Sequence, residues 1–310
     1  GKNYVTRKIM TDQGVYGLGD ATLNNRETLP ARYLTEYLIP NLIGKDPRNT
    51  EDLWQFFYRG AYFRRGPVAM AALGAIDMAL WDIKAKLANM PLYQLLGGKS
   101  REGAMIYAHA TGTDLDDLMA SVASYVEQGY KAVRVQCGVP GMPTASYATP
   151  DTKGNTNNYI TDFSGIRPKV EVWDTDRYMR FMPGALATIR DRFGPELKIL
   201  HDVHHRLLPR EAAAFAKAVE PVGLYWLEDP TPAEDQDALR LIRQHSTTPI
   251  AIGEVFNAIW DCNKLIENEL IDFIRVAVTY AGGITPVRRI VDLAAHHHVR
   301  TGFHGAPSHS

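Results

Sequence analysis

Apolar and polar residues alternate with period two over residues 4–10 and again over 15–21, on either side of the turn residues Asp12-Gln13-Gly14, which predicts a β-hairpin. The period then lengthens. Across 27–43 and 51–59 apolar residues recur at spacings of three and four, predicting two helices, with Thr50 as N-cap of the second. Residues 67–87 open on a proline and are rich in Ala, Met and Leu, as suits a long, mostly buried helix.

After Gly97-Gly98 strands and helices alternate to the end. Val- and Ile-rich runs begin near Lys198, Leu224, Pro249, Phe273 and Val299, at successive spacings of 26, 25, 24 and 26 residues, the length of one strand, one helix and two loops. Earlier strands at 105–109 and 132–136 bring the number to seven. This α/β repetition predicts a closed parallel, TIM-like (β/α) barrel, with a doubly wound sheet as the alternative that periodicity leaves open. Between 137 and 173 the alternation stops and Gly, Pro, Thr, Asn and Asp dominate; a long irregular segment after a strand is expected to serve the active-site mouth. Seven strands leave an eighth to follow Ser310, so the barrel is expected to be incomplete at its C-terminus. A molecule ending there would expose sheet edges, and poor stability and no turnover are expected of it.

Charge and composition narrow the function. With 34 Lys and Arg against 35 Asp and Glu the net charge is −1, and no run of five or six like charges occurs, which argues against nucleic-acid binding through a basic field. The longest apolar stretch, 68–83, is interrupted by Asp77 and Asp82 and falls short of the roughly 18 uninterrupted apolar residues of a membrane span. Cys137 and Cys262 form neither a disulfide framework nor a zinc motif, so reduced thiols in a cytoplasmic protein are expected.

Three acids hold equivalent places in successive units. Asp202, Glu228 and Glu254 each end an apolar strand, 26 residues apart in both intervals. In a barrel such strand ends converge on one mouth, where three carboxylates repel one another unless a cation joins them. Hard oxygen ligands select Mg²⁺ rather than zinc. The plain alternative, that each acid caps the following helix, weakens when three stand in register. His204 lies two residues beyond Asp202, so in extended chain both point to one side, and an imidazole there suits general acid–base work; His205 reads as a surface loop histidine. His304 stands at the matching end of the seventh strand. His296, His297 and His298 are about 100° apart on a helix and cannot face one ion, so they read as its last turn. Arg134 and Gln136 share one face of the second strand, and Tyr147 lies in the irregular segment, where a nearby arginine would stabilise its phenolate as a base. Cys137 reads as buried and structural rather than nucleophilic. Neither a dinucleotide fingerprint, a phosphate loop (Tyr93 stands where its first Gly is needed) nor a Gly-x-Ser-x-Gly elbow is present.

The chain resembles the enolase superfamily and, within it, the mannonate dehydratases. The resemblance rests on Ala75-Ile76-Asp77-Met78-Ala79-Leu80-Trp81-Asp82, Pro91-Leu92-Tyr93-Gln94-Leu95-Leu96-Gly97-Gly98, Leu200-His201-Asp202-Val203-His204-His205-Arg206, Trp226-Leu227-Glu228-Asp229, Gly253-Glu254-Val255-Phe256-Asn257 and Ala281-Gly282-Gly283-Ile284-Thr285. It implies a (β/α)₇β barrel over 99–310 under an N-terminal α+β capping domain over 1–98. It also implies Mg²⁺ on Asp202, Glu228 and Glu254, a Tyr147–Arg134 base that takes the proton α to a sugar-acid carboxylate, and metal stabilisation of the enediolate. His204 matches the acid that helps expel the 3-hydroxyl, and Arg275 and His304 match substrate-contacting positions. Racemase and lactonising branches carry a Lys-x-Lys pair where this chain has Arg134-Val135-Gln136, which argues against them. The expected partners are a small-molecule sugar acid and further copies of the chain, with neither nucleic acid nor membrane.

Two departures from the family pattern bear on the substrate. Residues 143–172 diverge after Ala145-Ser146-Tyr147, and Pro307-Ser308 replaces the Thr-Asp usual after His304-Gly305-Ala306. The resemblance implies D-mannonate dehydration to a 2-keto-3-deoxy sugar acid, with D-gluconate or another aldonate as the close alternative. A non-catalytic ligand-binding protein on the same fold is the alternative of another class.

Overall fold

The hairpin forms as expected, with β1 (Thr6–Met10) antiparallel to β2 (Tyr16–Asp20) and Thr6 opposite Asp20. The structure, a computed structural model, describes residues 4–24, 26–142 and 173–305. Gly17 and Gly19 let β2 lie against the helix Pro67–Leu87: a Cβ on them would sit 1.9 Å from the Ala79 carbonyl oxygen and 1.8 Å from that of Ala75. That helix starts at its proline and buries most of its length, including Met70, Ile76, Leu80 and Ile83.

The helix expected over 27–43 is not one continuous α-helix. It runs as Thr28–Tyr33, a wide π turn Leu34–Leu38, and Ile39–Leu42. Pro40 has no N–H to donate into an α ladder, and the wider turn accommodates the loss. The second helix is Thr50–Gly60, and its N-cap is Asn49 rather than Thr50, whose buried hydroxyl accepts instead from Lys84 Nζ at 3.2 Å.

Among the described residues, seven further strands form one sheet in unbroken chain order: β3 (Ala108–Gly112), β4 (Ala132–Cys137), β5 (Lys198–Asp202), β6 (Trp226–Glu228), β7 (Ile250–Ile252), β8 (Phe273–Ile274) and β9 (Arg300–Thr301). The pairs from β3 through β7 are parallel. A doubly wound sheet must reverse its strand order once, and this one does not, so the winding is that of a (β/α) barrel. β3 begins three residues later than expected: Met105 and Ile106 are exposed, and the alternation that buries Ala108, Ala110 and Gly112 selects the paired segment. Among the described residues no helix is long and apolar enough to cross a membrane.

The chain divides into two units. One comprises Gly1–Glu102, Ile252–Glu269 and Ile274–Ser310; the other comprises Gly103–Ala251 and Leu270–Phe273. In the second, Ala132, Leu200, Trp226, Ala251 and Phe273 pack into one buried layer. Period-two alternation then turns the residue two places further along β4, β5 and β6 to the same face: Arg134, Asp202 and Glu228. In the first unit Asp77 receives the Thr285 backbone N–H at 2.9 Å and its hydroxyl at 2.5 Å, which fixes the start of the helix Ile284–His296. Burial pushes the Asp77 carboxyl up to about 6. The helix closes at His296; His297 follows as its C-cap and His298 takes a left-handed conformation with φ of 59°, so of the histidine triplet expected as the last turn only the first is helical.

Candidate active site

Asp202 and Glu228 face each other in register across β5 and β6, both fully buried. With Asp229 they bring one carboxylate oxygen each within 4.8 Å of one another. Arg134 answers this charge: Nη1 lies 2.7 Å from Asp202 Oδ2 and 3.8 Å from Glu228 Oε1. Trp226 Nε1 donates to Glu228 Oε2 at 2.9 Å, which orients that carboxylate.

His204 meets Asp202 by a different route from the one expected. The chain is not extended there; His204 and His205 take left-handed conformations with φ of 55° and 59°. Non-glycine residues held this way mark sites where the surroundings impose the geometry. The turn brings His204 Nε2 to 2.8 Å from Asp202 Oδ2, while the His204 backbone N–H donates to Oδ1 at 2.8 Å. His204 Nδ1 lies 3.2 Å from Gln136 Nε2, and Arg134 Nη2 lies 3.2 Å from His109 Nδ1. His205 is not a bare surface residue: its Nδ1 is 3.0 Å from the Thr231 carbonyl oxygen and its Nε2 3.5 Å from Asp229.

Three buried carboxylates with oxygen donors alone, gathered around space that already attracts a guanidinium, fit a hard divalent cation such as Mg²⁺. Among the described residues, Asp202, Glu228 and Asp229 are the acids whose carboxylate oxygens come close enough together to share one ion. Cys137, nearby on β4, has its thiol pushed up to about 11 by burial, which removes it as a nucleophile at neutral pH.

Size alone does not mark the chemistry. A cavity of about 510 Å³ in the first unit is lined by Trp54, Tyr58, Trp260, Arg64 and Arg289 among others, with no carboxylate or imidazole among the described residues that line it. A cavity of about 30 Å³, lined by Gln136, His201, Asp202, His204 and Arg206, adjoins the acids.

Comparison with known proteins identifies the scaffold. Residues 1–97 match the mandelate racemase / muconate lactonizing enzyme N-terminal domain, and residues 117–310 match the enolase C-terminal domain-like family. The chain belongs to the enolase superfamily. It is 81% identical over 310 residues to a D-galactonate dehydratase family member of Oceanicola granulosus, covering all of this chain and 76% of that protein. It is 53% identical over 306 residues to a D-mannonate dehydratase of a Sphingomonas species, covering 99% of this chain and 75% of that one. Among solved structures, an enolase from Pantoea ananatis with bound D-gluconate and Mg superposes with a TM-score of 0.87 at 39% identity, over 97% of this chain and 74% of its own.

For this enolase-superfamily chain, the structure gathers Asp202, Glu228, Arg134 and His204 in the second unit. In the first, Glu254 Oε2 lies 3.4 Å from His304 Nε2 and 3.8 Å from the buried Arg275 Nη1. Tyr147 lies outside the described residues. Sequence reasoning assigned no role to Asp229, His109 or Gln136. Asp229 had a signal in the adjacent acids of Trp226-Leu227-Glu228-Asp229; His109 is found only once the β3–β4 register sets it beside Arg134.

Proposed function

We propose that the protein is an Mg²⁺-dependent dehydratase of D-mannonate, forming 2-keto-3-deoxy-D-gluconate. The observation that carries this reading is the convergence of Arg134 and His204 on one oxygen of Asp202, itself opposed in register by Glu228. Asp202, Glu228 and Glu254 would hold the ion, on their shared strand-end spacing. When bound, Mg²⁺ supplies positive charge to the substrate carboxylate and so makes its α-proton easier to remove. Tyr147 takes that proton with Arg134 favouring its phenolate, and His204 donates to the departing 3-hydroxyl. Arg275 and His304 contact the substrate. Arg134 also sets positive charge beside the opposed acids.

D-gluconate is the second reading, favoured by the ligand in the Pantoea ananatis structure. Incubation with Mg²⁺ and a panel of D-mannonate, D-gluconate and D-galactonate, compared by kcat/KM, tests both. Formation of the 2-keto-3-deoxy acid fastest from D-mannonate supports the first; a preference for D-gluconate replaces it with the second. No product from any aldonate overturns the dehydratase reading.

A further inference from the structure

We infer that Gln136 is a positioning residue that, from the side of the ring opposite Asp202, holds His204 with its proton on Nε2. The inference deepens the dehydratase reading and rests on it only where His204 meets substrate.

The argument is one of donors and acceptors. Gln136 follows Arg134 by two residues on β4 and is buried with it. Arg134 Nη2 lies 3.5 Å from Gln136 Oε1. A guanidinium only donates, so the amide must turn its oxygen toward Arg134 and its NH₂ the other way. That NH₂ lies 3.2 Å from His204 Nδ1. An amide nitrogen only donates as well, so Nδ1 must offer a lone pair, and the ring proton sits on Nε2. Nε2 in turn lies 2.8 Å from Asp202 Oδ2, an oxygen that also takes a hydrogen bond from Arg134 Nη1 at 2.7 Å and therefore accepts. Every group in the chain Arg134, Gln136, His204, Asp202 finds a complementary partner in this arrangement, and reversing the ring tautomer would oppose donor to donor at Gln136 and acceptor to acceptor at Asp202.

His201, on β5 next to Asp202, is held the other way round. Its Nδ1 is 2.8 Å from the Val135 carbonyl oxygen and so carries the proton, and its Nε2 accepts from the Tyr178 hydroxyl at 2.6 Å. Two histidines three residues apart are thus locked as opposite tautomers by what each one faces.

The consequence concerns role. With its proton on Nε2, His204 presents a donor beside the acid cluster and cannot take a substrate proton with that nitrogen. It is fitted to assist the departure of a hydroxyl, and the α-proton must go to another group. A leucine of similar volume at 136 would fill the space and impose no tautomer.

The test reads the ring directly, without substrate. Long-range ¹H–¹⁵N NMR of the full chain labelled with ¹⁵N-histidine, at neutral pH without added metal, is compared with His204→Asn for assignment. The expected result is a His204 ring protonated at Nε2 in the wild type and, with Asp202 still accepting, in Gln136→Leu, and a ring carrying a proton on Nδ1 in Gln136→Glu, whose carboxylate accepts where the amide donates. In turnover, Gln136→Leu should lose about 10-fold in kcat with KM little changed, the lower end of what outer-shell partners contribute. A wild-type ring protonated at Nδ1, or a ring with no proton on Nδ1 in Gln136→Glu, overturns the inference; the wild-type spectrum decides alone if the variants fail to fold. An Nε2–H ring in a protein that turns over no aldonate would leave the Gln136 assignment standing and fail the dehydratase reading instead.

Discussion

Asp202 and Glu228 stand opposite each other on adjacent parallel strands, both buried, with Arg134 Nη1 reaching toward the two of them. Like charges in this position repel strongly in a low-dielectric site, so the pair persists only with positive charge between or beside them.

Arg134→Leu should therefore destabilise the protein more than an ordinary core substitution. Removing one partner of a buried ion pair costs about 3–5 kcal/mol because the other charge stays behind. Thermal melts with and without Mg²⁺ check this: the variant should melt well below the wild type, and Mg²⁺ should recover more of its Tm than it adds to the wild type. Equal Mg²⁺ effects on both would contradict the charge argument.

Two acids compete for the third ligand position. Strand-end spacing selects Glu254, whereas Asp229 is the acid gathered with Asp202 and Glu228. Glu254→Gln is expected to lose Mg²⁺ affinity far beyond the 10- to 100-fold typical of an outer-shell change, and Asp229→Asn to stay within about that range. Calorimetric titration with Mg²⁺ ranks them, and the reverse order would assign Asp229 as the ligand.

Asp77 gives the cap a pH dependence of definite sign. Burial raises its folded-state value to about 6, so the native state holds a proton that the unfolded chain has already lost between its ordinary value and that point. Stability present below the unfolded value is lost as pH rises toward about 6, by about 3 kcal/mol at most. Asp77→Asn should flatten the Tm profile over that window, measured as the wild-type minus variant difference; parallel profiles would show that Asp77 does not titrate there.

Much of this was legible in the sequence. The helix Pro67–Leu87 and the strand Lys198–Asp202 carry unbroken local patterns and emerge where the periodicity puts them. Asp202 and Glu228 follow from strand-end spacing alone. Other features depend on partners distant in sequence. The Gln136–His204 contact joins residues 68 apart and exists only through the β4–β5 pairing and the left-handed turn after Asp202. Residues 105–107 look like strand because they are apolar, and only the pairing with β4 shows that the strand starts at Ala108. The π turn Leu34–Leu38 beside Pro40, with Leu34 and Leu38 in the buried cluster, is seen only in the structure, because apolar spacing does not separate a π turn from an α turn.

Gly17→Ala and Gly19→Ala test the close approach of hairpin to helix. Each new methyl would fall inside 2 Å of a helix carbonyl oxygen, and backbone cannot yield cheaply. A loss of about 3 kcal/mol, at the upper end for overpacking, is expected from either, read by chemical denaturation. Gly14→Ala meets no neighbouring atom and serves as the control for its positive φ alone.

The most direct test of the central claim is the rate of 2-keto-3-deoxy acid formation from D-mannonate, measured against Mg²⁺ concentration in the wild type and in Asp202→Asn. Turnover that rises with Mg²⁺ in the wild type and is abolished in the variant is the predicted result. Turnover independent of Mg²⁺, or undiminished in Asp202→Asn, would contradict it.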